Sequence, residues 1–391
     1  MSEDKKRTDT KLVTGGRRPE WRGKLVNTPL HRGSTVLFDS VAEMRGRKAE
    51  LGSYYYGLHG TPTQWTLSEA LTGLEPGAAG TAITSSGLSA ISESLLAVLS
   101  AGDELLMVDS AYGPTRRFCD AVLTRLGVTT CYYDPLATAD DLAGLISGST
   151  RAIFLESPGS LTFEVQDVPG ICAMARERRI VTLLDNTWAT PLFFPAIASG
   201  VDVSILALTK HVGGHSDLLL GAITANDEWF ERVQRTVFDL GDAVSSDDAW
   251  LAARGLRTLG LRLKRHEESG LKIASWLADQ PQVARILHPA FESCPGHEYW
   301  KRDFSGSTGL FSFVLDGGDP EARDRFVDRL ELFGIGYSWG GFESLAVPAD
   351  PVRSASKSEW AGPLVRLHIG LEDPDDLIAD LAHALAEYPS D

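Results

Sequence analysis

ALTKHVGGHSDLLLG, residues 207–221, sets a lysine at the end of an apolar run. Val203, Ile205, Leu206 and Leu208 precede Lys210 and read as a buried strand, whereas Gly213, Gly214, His215 and Asp217 follow it and read as a loop. An ammonium group is costly to desolvate, so a lysine held at a strand end among apolar neighbours has a lowered pKa and can serve as an amine nucleophile. The plainer alternative is a surface lysine whose stem covers the strand end. The rest of the chain decides between them.

Upstream of this stretch the hydrophobic period alternates. ELLMVDS (104–110), VTTCYYD (128–134), RAIFLES (151–157), IVTLLD (180–185) and VDVSILALT (201–209) read as strands. Between them, TRRFCDAVLTRLG (115–127), TADDLAGLI with Thr138 as its N-cap, and VPGICAMARERR with Pro169 in its first turn read as helices. Such alternation predicts a mostly parallel sheet with helices on both faces, and ligands then bind at the carboxyl ends of the strands. Asp185 and Lys210 both stand at that edge.

The flanking segments complete the plan. Residues 1–63 are polar, interrupted by Gly15, Gly16, Pro19, Pro29 and Gly33, and are expected to lie as an arm across another domain or another subunit. Residues 64–250 would form the domain that carries this sheet. It opens with a helix carrying Leu67, Leu71 and Leu74 and continues with a second, after Ser85-Ser86-Gly87, whose Leu88, Ile91, Leu95 and Leu99 share a face. Residues 251–391 would form a smaller α+β domain, reached through one long helix that starts near Asp247 and carries Leu256, Leu259 and Leu263. Its strands are GLFSFVLDGG and LVRLHIGLE, its helices ARDRFVDRLELFG and PDDLIADLAHALAEY, and YSWGGFESL (337–345) lies in a loop between them.

Composition narrows the function classes. The net charge of −16 disfavours nonspecific binding to nucleic acid or to an anionic membrane, and no apolar run approaches the roughly 20 residues of a membrane span. Cys119, Cys131, Cys172 and Cys294 are too scattered for a disulfide framework, which fits a reducing, cytoplasmic setting. His211, His215, His266 and His297 lack metal-site spacing, so no metal is expected, and neither a dinucleotide fingerprint nor a P-loop is present.

If Lys210 forms an imine with an aldehyde, the natural candidate is pyridoxal 5'-phosphate, which makes four further demands. An acid must sit near the pyridine nitrogen, and Asp185 qualifies, although Asp-Asn after a strand is also ordinary turn chemistry. The phosphate needs donors, and the helix start at Ser86, Gly87 and Leu88, with Thr209 nearby, could supply them, although serine and glycine open many helices for steric reasons. A ring must stack on the pyridine, and Tyr112, after a strand at the same edge, could do so or could simply pack its loop. Arg366, in the apolar setting of Leu364, Val365, Leu367 and Ile369, needs an anion: a substrate carboxylate or an internal partner.

Taken together, DTKLVTGGR, YGLHGTPT (56–63), FLESPGSLTFEV (154–165), LLDNTWAT (183–190), TKHVGGHSD (209–217), RGLRTLGLRL (254–263), YSWGGFESL and VRLHIGLED resemble the Cys/Met-metabolism family of pyridoxal-phosphate enzymes over nearly the whole chain. The resemblance implies the fold of the aspartate aminotransferase type, with a large three-layer α/β/α cofactor domain and a small C-terminal α+β domain, assembled as a homotetramer of two catalytic dimers. It implies Lys210 as the Schiff-base lysine, Asp185 as the pyridinium partner, Tyr112 as the stacking ring, and Gly87, Leu88 and Thr209 as phosphate donors. Tyr56 would enter from a neighbouring subunit. Ser338 and Arg366 would hold the substrate carboxylate, with Trp339 lining the pocket. Trp339 also points to the subgroup that breaks the bond on the β side of the sulfur, releasing pyruvate, ammonia and a thiol such as homocysteine from L-cystathionine, a trans-sulfuration step of methionine biosynthesis.

Two positions depart from the family pattern. Leu58, followed by His59, stands where an arginine commonly reaches the neighbouring subunit's phosphate, and Ala207 stands where many members have serine. His59 could substitute for the arginine. Other reactions on the same scaffold stay open, namely γ-elimination, γ-replacement and β-elimination from cystine or other cysteine conjugates. So does a cofactor-binding regulatory protein without turnover.

Overall fold

The computed structural model describes residues 6–356, 360 and 362–389. The apolar runs form one seven-stranded sheet: β1 (Gly80–Thr84), β2 (Glu104–Val108), β3 (Thr129–Tyr133), β4 (Thr150–Glu156), β5 (Val181–Asp185), β6 (Val203–Ala207) and β7 (Gly221–Ala225). Their order is β1-β7-β6-β5-β4-β2-β3. All pairings are parallel except those of β7, which runs antiparallel to both β1 and β6. Helices cover both faces, which is why Ala152, Ile153, Phe154 and Leu155 of β4 are all fully buried although they alternate in direction. The antiparallel β7 was not foreseen: GAITA carries no alternation, and its direction follows from the loop that returns the chain beside β6 after Lys210.

Local sequence sets the helix starts. Ser86 caps the Gly87–Val98 helix by accepting from the Ser89 N–H, and Thr138 caps Ala139–Leu145 in a capping box with Asp141. Asp167 accepts from the Gly170 N–H at the start of Val168–Glu177. Residues 115–127 are less regular than expected, because Gly113–Phe118 is α-helical and Cys119–Leu123 continues as a π turn.

The second sheet has the order β10-β11-β12-β9-β8, built from β8 (Val283–Leu287), β9 (Leu310–Leu315), β10 (Gly334–Ile335), β11 (Leu345–Ala349) and β12 (Leu364–His368). The expected single helix from Asp247 is two helices, Ser246–Leu256 and Leu259–Ala278. The break follows Gly255, where a Cβ would lie 2.3 Å from the Val212 carbonyl oxygen. Leu259 and Leu263 of the second helix join the core with Leu206, Leu208 and Val212, whereas Ile273, Ala274 and Leu277 join the core of the second sheet.

The arm divides in two. Leu12 and Trp21 are buried against this chain's own helix Pro62–Thr72 and its neighbours, and Arg257 donates to the Leu12 and Gly15 carbonyls. Beyond them Leu37 is 91% exposed, and Val41, Met44, Tyr54, Tyr55 and Tyr56 are also exposed. No helix among the described residues is long and apolar enough to cross a membrane.

Candidate active site

The carboxyl ends of β5 and β6 lie side by side, and they carry the acid and the lysine. Asp185 ends β5; its Oδ1 accepts from the Thr187 N–H (3.0 Å) and hydroxyl (2.5 Å), and that hydroxyl accepts from the Ala207 N–H at the end of β6 (2.9 Å). Oδ2 has no protein partner among the described residues. Burial pushes the Asp185 carboxyl above its ordinary value, opposed by the Thr187 bonds and by Lys210.

Lys210 sits in the turn after β6, where its N–H donates to the Ala207 carbonyl (3.1 Å) and its own carbonyl accepts from the Gly214 N–H (2.8 Å). Its Nζ donates to Ser338 Oγ at 2.7 Å and lies 5.5 Å from the centre of the Trp339 ring. Burial lowers the amine to about 8, with Arg366 adding to the shift and Asp185 opposing it. Ser338 has φ +92°, a left-handed conformation costly for a residue with a Cβ, and its carbonyl accepts from Arg366 Nη2 at 3.1 Å. Arg366 is lowered to about 10 by burial and forms no ion pair among the described residues, so its fork is available to an external anion.

At the same edge, β1 delivers the chain into the Gly87–Val98 helix. The first N–H groups of a helix have no partner within it, and Ser86 takes only that of Ser89, which leaves those of Gly87 and Leu88. A Cβ on Gly87 would lie 2.6 Å from that of Ala207, so glycine is what lets this helix start approach the end of β6. The Thr209 hydroxyl is engaged elsewhere: it donates to the Leu220 carbonyl (3.2 Å) and accepts from the Leu220 N–H (3.1 Å). Tyr112 caps Gly113–Phe118 and is half exposed. Its N–H donates to Glu156 Oε2 at 2.8 Å, and Glu156 is the β4 residue paired with Asp185. Burial, then the Asp185 charge, hold the Glu156 carboxyl well above the carboxylate range.

Lys210, Asp185, Tyr112, Gly87, Ser338, Trp339 and Arg366 thus converge from two sheets. Tyr56 does not join them within this chain; it is half exposed and makes no side-chain hydrogen bond or ring contact among the described residues. Leu58 and His59 line a pocket of their own chain, and the His59 ring packs against Phe238 (4.4 Å) and Tyr55 (5.0 Å). His59 is therefore held away from any role as a reaching cation in this conformation.

A family profile described as "Cys/Met metabolism PLP-dependent enzyme" matches residues 9–386. The chain belongs to this family. Cystathionine beta-lyase MetC of Escherichia coli (strain K12) is 45% identical, with 96% of this chain and 97% of that one covered. An L-alanine/L-glutamate racemase of Wolbachia pipientis wMel is 39% identical over 97% of this chain and 96% of its own. The crystal structure of metB from Corynebacterium glutamicum superposes with a TM-score of 0.91 at 30% identity, covering 99% of each chain.

The cofactor of the family is pyridoxal 5'-phosphate, and the residues fit it. The free Asp185 oxygen suits a protonated ring nitrogen, the depressed Lys210 amine suits an aldehyde, and the cradle kept open by Gly87 suits a phosphate.

Three features escaped sequence reading. Glu156 was read only as the end of a strand. Arg262, buried on the Leu259–Ala278 helix, donates to the His211, Val212 and Gly255 carbonyls at 2.6, 3.2 and 2.8 Å, directly under the lysine turn. His211, His266 and His368 form a row of tilted and edge-on rings beside it, with centres 5.7 and 5.2 Å apart. An arginine one residue before the core-facing Leu263, and a histidine directly after Lys210, were the available signals.

Proposed function

We propose that this chain is a carbon–sulfur β-lyase that converts L-cystathionine and water to L-homocysteine, pyruvate and ammonia. The observation that carries the reading is one hydrogen-bonded chain, Lys210 Nζ to Ser338 Oγ and Ser338 carbonyl to Arg366, which sets a base beside a carboxylate clamp. The relatives named cystathionine beta-lyase supply the reaction class.

Bound pyridoxal phosphate supplies an electron sink for the Cα carbanion. Arg366 receives the substrate carboxylate in its fork, with Ser338 as a second donor and Trp339 as the pocket wall. Lys210, once freed, removes the Cα proton and returns a proton to the departing sulfur. Asp185 would keep the ring nitrogen charged, Tyr112 would cover the ring, and Gly87, Leu88 and Thr209 would hold the phosphate. For Thr209, that task requires its bond to Leu220 to open. Tyr56 completes a neighbouring subunit's site through the exposed half of the 1–63 arm, within a homotetramer of cofactor domains (64–250) and C-terminal domains (251–391) in the cytoplasm.

The test is turnover of L-cystathionine by the purified holoprotein with both products identified. Equal amounts of pyruvate and homocysteine are expected. Cysteine with 2-oxobutanoate would place the cut on the γ side, and borohydride trapping at Lys210 without turnover of any thioether would favour a binding protein. A second reading draws on the racemase relative. Lys210 could return its proton to Cα of an amino acid that has no leaving group. Formation of D-alanine from L-alanine by the same preparation, faster than pyruvate from cystathionine, would make racemisation the main activity.

A further inference from the structure

The two halves of the site rest on a buried layer that the proposed chemistry does not use. His211 follows Lys210, His266 lies one turn beyond Arg262 on the Leu259–Ala278 helix, and His368 lies two residues beyond Arg366 on β12. All three are at most 1% exposed. The His211 ring also meets Trp339, at 5.2 Å. Both ring nitrogens of His211 and of His266, and Nδ1 of His368, are buried without a protein partner among the described residues. Charging such rings would bury further N–H donors without acceptors, so the layer is neutral.

One nitrogen is used. His368 Nε2 faces two backbone groups of one loop, the Gly340 N–H at 3.0 Å and the Gly341 carbonyl at 3.2 Å: with the ring proton on Nδ1 it accepts from the first, with the proton on Nε2 it donates to the second, and either tautomer ties the ring to the loop. The bond closes a narrow loop. Gly340 has φ +84°, and a Cβ there would lie 2.7 Å from the His211 nitrogen and 2.9 Å from the Lys210 carbonyl carbon, so the loop rests directly on the lysine turn. Two residues earlier, Ser338 holds its own left-handed conformation, with its side chain on Lys210 and its carbonyl on Arg366. Gly340 adopts its positive φ without strain, but Ser338 carries a Cβ there and is costly to maintain without an anchor. The bond from His368 Nε2 to the Gly340–Gly341 backbone is that anchor.

We propose that His368 is a positioning residue for substrate binding: as a neutral imidazole bonded through Nε2 to the Gly340–Gly341 backbone, it holds Ser338 and Trp339 in the arrangement that presents the carboxylate clamp to substrate. Burial first, then the positive charges of Arg366 on its own strand and Lys210 on the facing turn, lower the ring to about 4 against the opposing bond to the Gly341 carbonyl, so it stays neutral. His266 and His211, packed on its other side, are neutral for the same reasons. The clamp therefore persists throughout the physiological pH range.

This inference rests on the lyase reading for its kinetic arm only. In the holoprotein, His368→Leu should raise KM for cystathionine about tenfold while kcat falls less than about threefold, because a displaced clamp weakens ground state and transition state together. His368→Gln, whose amide can accept from the Gly340 N–H or donate to the Gly341 carbonyl, should restore KM to within about threefold. A second arm needs no turnover: amide hydrogen exchange of the 337–342 segment should quicken in His368→Leu and stay slow in His368→Gln. Unchanged KM and exchange in His368→Leu, or a Gln variant as impaired as Leu, would overturn the proposal. If His368→Leu does not fold, His368→Asn replaces it. Its shorter amide falls short of Gly340, so it should show the raised KM and fast exchange, and wild-type behaviour would equally overturn the proposal. A wild-type protein inert on cystathionine refutes the lyase reading and leaves the exchange arm to decide.

Discussion

Lys210 Nζ donates to Ser338 Oγ at 2.7 Å, and Ser338 holds that position at φ +92°. Ser338→Ala and Ser338→Gly both remove the acceptor, and each should lower kcat/KM about tenfold, the size of one hydrogen bond to a charged group. They should separate in stability. Glycine relieves the left-handed backbone and alanine does not, so Ser338→Gly should be more stable than Ser338→Ala by about 1 kcal/mol in urea unfolding.

Cofactor uptake by the cofactor-free protein should follow the Lys210 amine. Only the neutral amine attacks an aldehyde, so with the amine lowered to about 8 the uptake rate should climb from pH 7 and level off above about 8 to 9. Arg366 lowers this value and Asp185 raises it. Arg366→Met should move the midpoint up in pH and Asp185→Asn should move it down, as read from stopped-flow absorbance. Shifts in the same direction for both variants would refute the assignment.

Leu58→Arg tests the arm. If the segment carrying Tyr56 enters a neighbouring site, an arginine at 58 adds a charge-assisted contact to the phosphate and should tighten cofactor binding about tenfold at low salt, with the gain shrinking as salt rises. An unchanged cofactor dissociation constant would argue against the arm crossing between subunits.

Arg262 should matter to stability out of proportion to its distance from substrate. Arg262→Met leaves the His211 and Val212 carbonyls buried without their donor, while the Gly255 carbonyl keeps the Thr258 N–H and hydroxyl, at a cost of about 3 kcal/mol. Gly214→Ala should be comparably damaging, because its Cβ would lie 2.1 Å from Arg262 Nη1 at a backbone of φ +69°. Denaturant midpoints of the two variants and of their combination check this, and the two losses should not add.

Much of the site was legible because it obeys the periodicities of its elements. β5 and β6 were visible as apolar runs, so Asp185 and Lys210 fell at the same edge. Arg366 stood out because a charge inside an apolar strand needs a reason. What stayed hidden depends on contacts between distant segments. β7, β10 and β11 are short or lack alternation. Glu156 acquires meaning only when β4 lies between β2 and β5, and the partner of the Thr209 hydroxyl is a backbone group on the returning strand. RGLRTLGLRL was read for its leucines, although its arginines make the contacts: Arg257 to the arm and Arg262 to the lysine turn.

The Leu259–Ala278 helix anchors one end in each of two cores, which makes the two sheets a single heritable unit. A chimaera that exchanges the second sheet with a relative cannot be spliced in the loop before this helix without stranding Leu259 and Leu263 against a foreign partner. A workable junction falls inside the helix, between Leu263 and Ile273, where one core hands over to the other.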